Sequence, residues 1–383
     1  MPSLSDQPLI HHLQQFEFKT LPEVPDSHAW PVVNDHPHGD DAVPVIDLGC
    51  PDAARLIGRA CEEWGAFQIT GHGVPVDLLD RLEAQTRSLF SLPTGQKLKA
   101  ARSPGGVTGY GVANISAFFS KLFWSEGFTI VGSPHDEARK LWPDDSAEFC
   151  GAIEEYTSWM KALGCRLMLL MLASLGLGEG DIDWAVPSRE TTHEATAAPV
   201  IQLNSYPACP DPERAMGLAE HTDSSLFTIL YQGSVRGLQL LHGNHPTGGA
   251  RWVTVPPLPG ALVVNVGDLS HILSNGRFQS VTHRAIVNRM QTRISVAYFY
   301  GPPAHFKISP IEKLMGPQQG PAYRAVTWPE YLTLKKRLYN QALASIRLLP
   351  TQGEEEEEES RKKNTSSEII TAAYTRRHGE AKV

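Results

Sequence analysis

The chain has 383 residues, of which 41% are hydrophobic and 20% charged, the composition of a folded protein with a large core rather than of a disordered one. Its formal charge of −8 argues against nucleic acid as a partner, and any anionic small molecule would need a local basic pocket to overcome the overall field. No apolar run reaches spanning length and MPSLSDQPLI lacks the basic start and apolar middle of a secretory signal, so no membrane partner is expected, and the expected location is the cytoplasm with the nucleus as a second compartment.

In chain order, residues 1–40 are rich in Pro, His and Asp and are expected to be mobile. Helical periodicity then predicts one helix through Leu56, Ile57, Ala60, Cys61 and Trp64, and a second through Leu78, Leu82, Leu89 and Phe90. A longer helix is predicted through Ile153, Tyr156, Met160, Leu163, Leu167, Leu170 and Leu175, ending near Gly176 and Gly178. These apolar stripes are core, buttressing a sheet, and carry no chemistry.

From Val200 the texture changes to short β-rich runs: VIQLNSY, SLFTILY, GLQLLH, RWVTV, GALVVNV and the segments around His283 and Arg293. Turn residues such as Gly233, Asn244, Pro256, Pro257, Pro259, Asn275 and Gly276 separate them, a pattern that predicts a sandwich or jelly roll. VTHRAIVN and TRISVAYFY, joined by a short polar stretch, read as a hairpin that would bring His283 and Arg293 into one cavity. Thr327-Trp328-Pro329-Glu330 reads as a helix start with a capping box, its stripe of Tyr331, Leu334 and Leu338 closing over the mouth of the sheet. Residues 354–359 are six consecutive glutamates followed by Arg361, Lys362 and Lys363, a block expected to be disordered. The five cysteines are scattered without a CxxC pair and are expected to be reduced.

The chemistry concentrates in GLAEHTDSSLFTIL. His221 and Asp223 are two residues apart, so an extended segment projects both from one face, and a β core could return His283 to them by long-range pairing. Two imidazoles and one carboxylate on one face of an octahedral metal leave positions open for oxygen chemistry, the arrangement of non-haem iron(II) oxygenases. With 15 histidines, one His-x-Asp pair arises by chance, and His38 with Asp40 is such a decoy in a Pro/Gly-punctuated stretch. Taken alone, His221 is equally well a hydrogen-bonded histidine at the start of a strand. Arg293 and Ser295, again at same-face spacing, shift the balance, because a guanidinium fork plus a hydroxyl suits the far carboxylate of a small dicarboxylic acid.

The order Asn204, Tyr206-Pro207-x-Cys209, His221-x-Asp223, His283 and Arg293-x-Ser295 resembles the plant 2-oxoglutarate and iron(II)-dependent dioxygenases, and VPVIDLG (43–49) with CEEWGAFQITGHGVP (61–75) resembles their leader domain. Within that family, FFSKLFWSEGFTIVGSP (118–134), LNSYPACPDPERAMGLAEHTDSS (203–225) and NGRFQSVTHRAIVN (275–288) look most like the gibberellin 3-beta-dioxygenases. The resemblance covers roughly residues 40–345.

It implies an α+β fold: a double-stranded β-helix (jelly-roll) core over residues 196–301, flanked by helices of a leader domain at 41–195 and a C-terminal helical extension at 302–350, with a charged tail at 351–383. It implies iron(II) held by His221, Asp223 and His283, and 2-oxoglutarate as co-substrate held by Arg293 and Ser295 with Tyr206 and Asn204. Ascorbate is the expected reductant. The implied reaction is hydroxylation of a gibberellin precursor at carbon 3, consuming O2 and 2-oxoglutarate and giving succinate and CO2. A rigid diterpenoid acid needs an apolar cavity, for which Tyr110, Phe118, Phe119, Trp124 and Phe128 are the aromatic candidates, each also readable as ordinary core. A monomer acting on small molecules is expected. The alternatives are a related dioxygenase acting at another gibberellin position or on a flavonoid, an iron oxidase that does not use 2-oxoglutarate, a zinc hydrolase, and a non-catalytic hormone-binding protein.

Overall fold

The computed structural model describes residues 18, 21–31, 42–182, 198–243, 249–316 and 320–348. The decoy pair His38 and Asp40, the turn residue Asn244 and the charged tail lie outside them.

The N-terminal half alternates short strands with amphipathic helices: β1 (Val45–Asp47), α1 (Ala53–Glu63), β2 (Ala66–Thr70), α2 (Val76–Ser91), α3 (Thr94–Lys97), β3 (Gly109–Gly111), β4 (Glu126–Val131), α4 (His135–Leu141) and α5 (Ala147–Ser174). In α1 and α2 the buried positions include Ile57, Ala60 and Cys61, then Leu78, Leu82, Leu89 and Phe90, as read from the sequence, whereas Leu56 and Trp64 are only partly buried. The long helix α5 begins at Ala147, earlier than its clearest periodicity, because Phe149 and Cys150 already face the core; it stops where Gly176 takes a φ of 75°. Helix α5 packs across α1 and α2 and onto the sheet beneath.

The second half supplies β5 (Val200–Tyr206), β6 (Met216–His221), β7 (Phe227–Tyr231), β8 (Leu238–His242), β9 (Arg251–Thr254), β10 (Leu262–Val266), α6 (Asp268–Leu273), β11 (His283–Ile286) and β12 (Arg293–Tyr300). These strands divide between two sheets. The larger has the order β1-β2-β10-β7-β12-β5-β4-β3 and the smaller β6-β11-β8-β9, so the chain crosses repeatedly between sheets as a double-stranded β-helix requires. The N-terminal strands extend both edges of the larger sheet, β1 and β2 on one side and β4 and β3 on the other.

Side-chain alternation along β12 shows how the layers form. Ile294, Val296 and Tyr298 enter the main core under the helices, whereas Ala297 packs with Leu230, Leu238, Leu240 and Val263 between the two sheets. Arg293 and Ser295 share the parity of Ala297 and therefore face the gap between sheets.

The expected hairpin of β11 and β12 does not form. Strand β11 pairs with β6 and β8 in the smaller sheet, and β12 pairs with β5 and β7 in the larger. Between them Asn288 Oδ1 accepts from the backbone N–H groups of Met290 (2.8 Å) and Gln291 (3.0 Å), a local turn that carries the chain from one sheet to the other. Both strands gain two neighbours by separating, which leaves neither with an open edge.

After β12 come the short pair β13 (Lys307–Ile308) and β14 (Val326–Thr327), then α7 (Trp328–Leu338). The capping box at its start is as expected: Thr327 Oγ1 accepts from Glu330 N–H at 3.3 Å and Glu330 Oε2 accepts from Thr327 N–H at 3.1 Å. No helix among the described residues is long and apolar enough to cross a membrane.

Candidate active site

His221 ends β6 and His283 opens β11, and the antiparallel register sets them directly opposite each other. That pairing closes the long sequence separation. The ring centroids are 4.3 Å apart, and the Nε2 atom of each histidine lies 3.8 Å from Asp223 Oδ1. Asp223 itself lies two residues past the end of β6, at the entrance to the bend that leads to β7. Its side chain converges because this segment is pinned: its carbonyl accepts from Asp268 N–H at 2.8 Å, and Thr228 Oγ1 donates to its Oδ2 at 2.6 Å.

The protonation states suit a metal. His221 Nδ1 is 2.8 Å from the carbonyl of Ala219 and His283 Nδ1 is 3.2 Å from that of Val281. A carbonyl can only accept, so Nδ1 carries the hydrogen and Nε2 presents a lone pair toward the shared point. Burial, with the neighbouring His283, pushes His221 down to about 4, which keeps it neutral. Burial also works to raise the Asp223 carboxyl, but the two imidazoles, the Thr228 hydroxyl and Lys335 outweigh it and hold the group below the usual carboxylate range. One ligand atom from each residue lies within 4.8 Å of the others. Two imidazole nitrogens and one carboxylate oxygen brought this close fit iron(II).

Beside the triad lies a basic niche. Arg293 stands opposite Tyr206 and Ser295 opposite Asn204 in the β5–β12 ladder. The guanidinium sits 5.1 Å from the Tyr206 ring centre, is 2% exposed, and its Nε has no hydrogen-bond partner among the described residues. A buried cation with an unused donor is costly unless an anion completes it. Asn204 Nδ2 reaches Ser295 Oγ at 3.5 Å, and Tyr206 clusters with Ala285, two residues from His283. The niche and the triad therefore share the inter-sheet space, although the strands bearing Arg293 and His283 belong to different sheets.

Of the aromatic candidates, Phe118 and Phe119 come near the triad. Phe118 stacks on Tyr339 at 4.8 Å and Phe119 meets it edge-on at 5.6 Å, while the Tyr339 hydroxyl donates to the carbonyl of Glu220, next to His221. Phe119 also packs against Trp30 and Phe123 in a cluster that includes Met216 and Ala219 of β6. Trp124 is fully buried against Phe18 in the cluster that holds Tyr206. Tyr110 and Phe128 follow their ordinary-core reading: they pair across β3 and β4, Phe128 also pairs with Leu203, and all three belong to the core beneath the helices. A separate cavity of about 420 Å³ also lies on that far side, lined by Ser205, Ile294, Arg87, Lys97 and Glu126. Ser205 and Ile294 alternate with Tyr206 and Arg293, so it opens away from the triad.

Sequence reasoning missed Thr228, Asp268, Lys335, Trp30 and Tyr339. Only Thr228 left a signal, as a hydroxyl inside the otherwise apolar run LFTIL.

The profile of the 2OG-Fe(II) oxygenase superfamily matches residues 197–302, and that of the N-terminal region of non-haem dioxygenases in morphine synthesis matches residues 43–145. Gibberellin 3-beta-dioxygenase 1 of Pisum sativum is 51% identical over 361 residues, covering 91% of this chain and 94% of that protein. Gibberellin 3-beta-dioxygenase 1 of Arabidopsis thaliana is 52% identical over 339 residues, covering 86% and 92%. Among solved structures, JOX2 in complex with 2OG, Fe and JA is 31% identical with a TM-score of 0.73, covering 86% of this chain and 95% of that one. The rice dioxygenase for auxin oxidation is 28% identical with a TM-score of 0.63, covering 80% and 100%. The chain therefore belongs to the 2-oxoglutarate/iron(II) oxygenase superfamily, in the branch of the gibberellin 3-beta-dioxygenases.

Proposed function

We propose that this enzyme hydroxylates gibberellin precursors at carbon 3 on the β face, converting substrate, O2 and 2-oxoglutarate into the alcohol, succinate and CO2. The observation that carries the chemistry is the cross-strand meeting of His221 and His283 with Asp223 between their Nε2 atoms. The choice of substrate is supported by relatives of that name at 51–52% identity across nearly their whole length.

In this reading His221, Asp223 and His283 hold iron(II), which when bound supplies dioxygen activation coupled to decarboxylation of the keto acid. Thr228 keeps the Asp223 carboxylate ionised and aimed, and the backbone carbonyls at Ala219 and Val281 fix the imidazole tautomers. Arg293 and Ser295 bind the far carboxylate of 2-oxoglutarate, with Tyr206 walling one side of the guanidinium and Asn204 steadying the Ser295 hydroxyl. Each charge-assisted bond in that niche is worth about 1.5–3 kcal/mol net. The diterpenoid rings lie against exposed Phe118, half-buried Phe119 and the apolar neighbours of Phe119 beside β6. Ascorbate serves as reductant.

The unit is read as a leader domain at 41–195, a catalytic jelly roll at 196–301 and a C-terminal extension at 302–350. It acts as a monomer in the cytoplasm or nucleus without a nucleic-acid partner, the last point being supported by the net charge of −8.

The test is incubation of purified protein with iron(II), ascorbate, 2-oxoglutarate and a panel of gibberellin precursors, with products identified by mass spectrometry. The expected outcome is a product one oxygen atom heavier, hydroxylated at carbon 3, with matching succinate. Hydroxylation at a different carbon, or turnover only of flavonoids, would replace the substrate assignment. Product formed without succinate would replace the chemistry.

A further inference from the structure

We infer that Asp268, braced by Lys335 of α7, is the positioning residue that fixes the three metal-holding side chains relative to one another; this rests on the assignment of His221, Asp223 and His283 as ligands. Asp268 is the first residue of α6 and is completely buried. A carboxylate without solvent persists only where donors converge on it.

Four do so, from three parts of the chain. Its Oδ2 accepts from Thr222 Oγ1 at 3.1 Å, from the Tyr331 hydroxyl at 2.7 Å and from Lys335 Nζ at 2.9 Å, while Oδ1 accepts from Ser280 Oγ at 2.6 Å. Thr222 is the residue between His221 and Asp223, and Ser280 stands three positions before His283. The backbone N–H of Asp268 donates to the carbonyl of Asp223 at 2.8 Å. A single residue thus grips the segment bearing two ligands and the approach to the third.

Lys335 completes the grip by donating to Thr222 Oγ1 at 2.6 Å as well as pairing with Asp268. A hydroxyl can accept from one partner while donating to the other, so Thr222 is held from both sides. Close approach of α6 to this segment depends on Gly267, where a Cβ would lie 2.2 Å from the carbonyl oxygen of Ser225. Docking of the C-terminal helix and geometry at the metal are therefore coupled through the Asp268 carboxylate, which is not itself one of the three ligand residues.

Titration of the full-length metal-free protein with cobalt(II) chloride, read by the visible ligand-field absorption, tests this. Asp268→Asn and Lys335→Met should fold with native circular dichroism yet bind cobalt about 10–100-fold more weakly, with an altered band. They should also release more succinate per hydroxylated product. Lys335→Arg should restore most of the affinity. Glu330→Ala, which opens the capping box of the same helix without touching Asp268, should bind cobalt as the parent does.

Parental affinity and band in the folded Asp268 and Lys335 variants would overturn the inference, as would an equal loss in Glu330→Ala. If Asp268→Asn does not fold, Lys335→Met and Thr222→Val decide by the same criterion. His221→Ala separates the two levels. Cobalt binding and spectrum unchanged there would sink the ligand assignment, whereas loss there with no loss at Asp268, Lys335 and Thr222 would sink only the positioning role.

Discussion

The side chain of Arg293 occupies space left open by Gly237: a Cβ built on Gly237 would lie 2.7 Å from Arg293 Cδ and 3.2 Å from its Nε. Gly237 sits immediately before β8 of the smaller sheet, whereas Arg293 comes from the larger one, so this contact spans the gap between the two. Gly237→Ala should displace the guanidinium while leaving the triad in place. The added methyl group also meets the carbonyl of Ile286 at 2.9 Å, which should cost about 1–3 kcal/mol of stability. The 2-oxoglutarate KM should rise roughly tenfold, since 1.4 kcal/mol of lost anion binding corresponds to that factor, with little change in the gibberellin KM. Succinate formation at graded concentrations of each substrate checks the split.

Arg293→Lys keeps the positive charge and loses the fork. A lysine ammonium cannot give two parallel bonds to one carboxylate, and it would occupy the niche over Tyr206 less completely. Loss of one charge-assisted hydrogen bond, about 1.5–3 kcal/mol, predicts a 2-oxoglutarate requirement raised by roughly 10–100-fold. The diterpenoid requirement should move far less. An unchanged 2-oxoglutarate requirement would remove Arg293 from the co-substrate site.

Thr228→Val is nearly isosteric and deletes the hydroxyl that donates to Asp223 Oδ2. The carboxylate would lose a partner that both aims it and favours its ionised form. Metal affinity should fall by about 10–100-fold. Manganese(II) titration of the folded variant reads this without depending on turnover.

The N-terminal segment should respond to acid through His28. Its imidazole is buried edge-on to Phe18 (5.5 Å) and Trp124 (5.9 Å), and burial pushes its pKa down from 6.5 to about 4. The unfolded chain then binds the proton more readily than the folded one between those values. The stability carried by neutral His28 is therefore complete above about pH 6.5 and is lost progressively as pH falls toward 4. Melting temperature should decline through that window, and His28→Gln should flatten the decline. A decline of the same size in the variant would assign it to other groups.

Much of the fold was legible because helix and strand periods are local properties of the chain. The stripes at Leu78, Leu82 and Leu89 and the run VIQLNSY became α2 and β5 where expected, and the Thr327–Glu330 capping box was visible as two residue types at a fixed spacing. Strand β6 was less visible, since MGLAEH has little β-branched character and depends on pairing with β11.

What the sequence determined by itself was the donor set: two imidazoles, a carboxylate, a guanidinium and a hydroxyl in an order that narrows the chemistry before any coordinates exist. Tertiary structure alone decided how they meet. Register placed His221 against His283, a crossing between sheets replaced the expected hairpin, and side-chain parity sent Tyr110 and Phe128 to the helix side while Arg293 faced the gap. Sequence spacing fixes which face of an element a residue occupies, but which faces meet is set by long-range pairing and packing; hence Asp268 and Lys335, each ordinary in its local context, become visible only once three distant segments converge on one carboxylate.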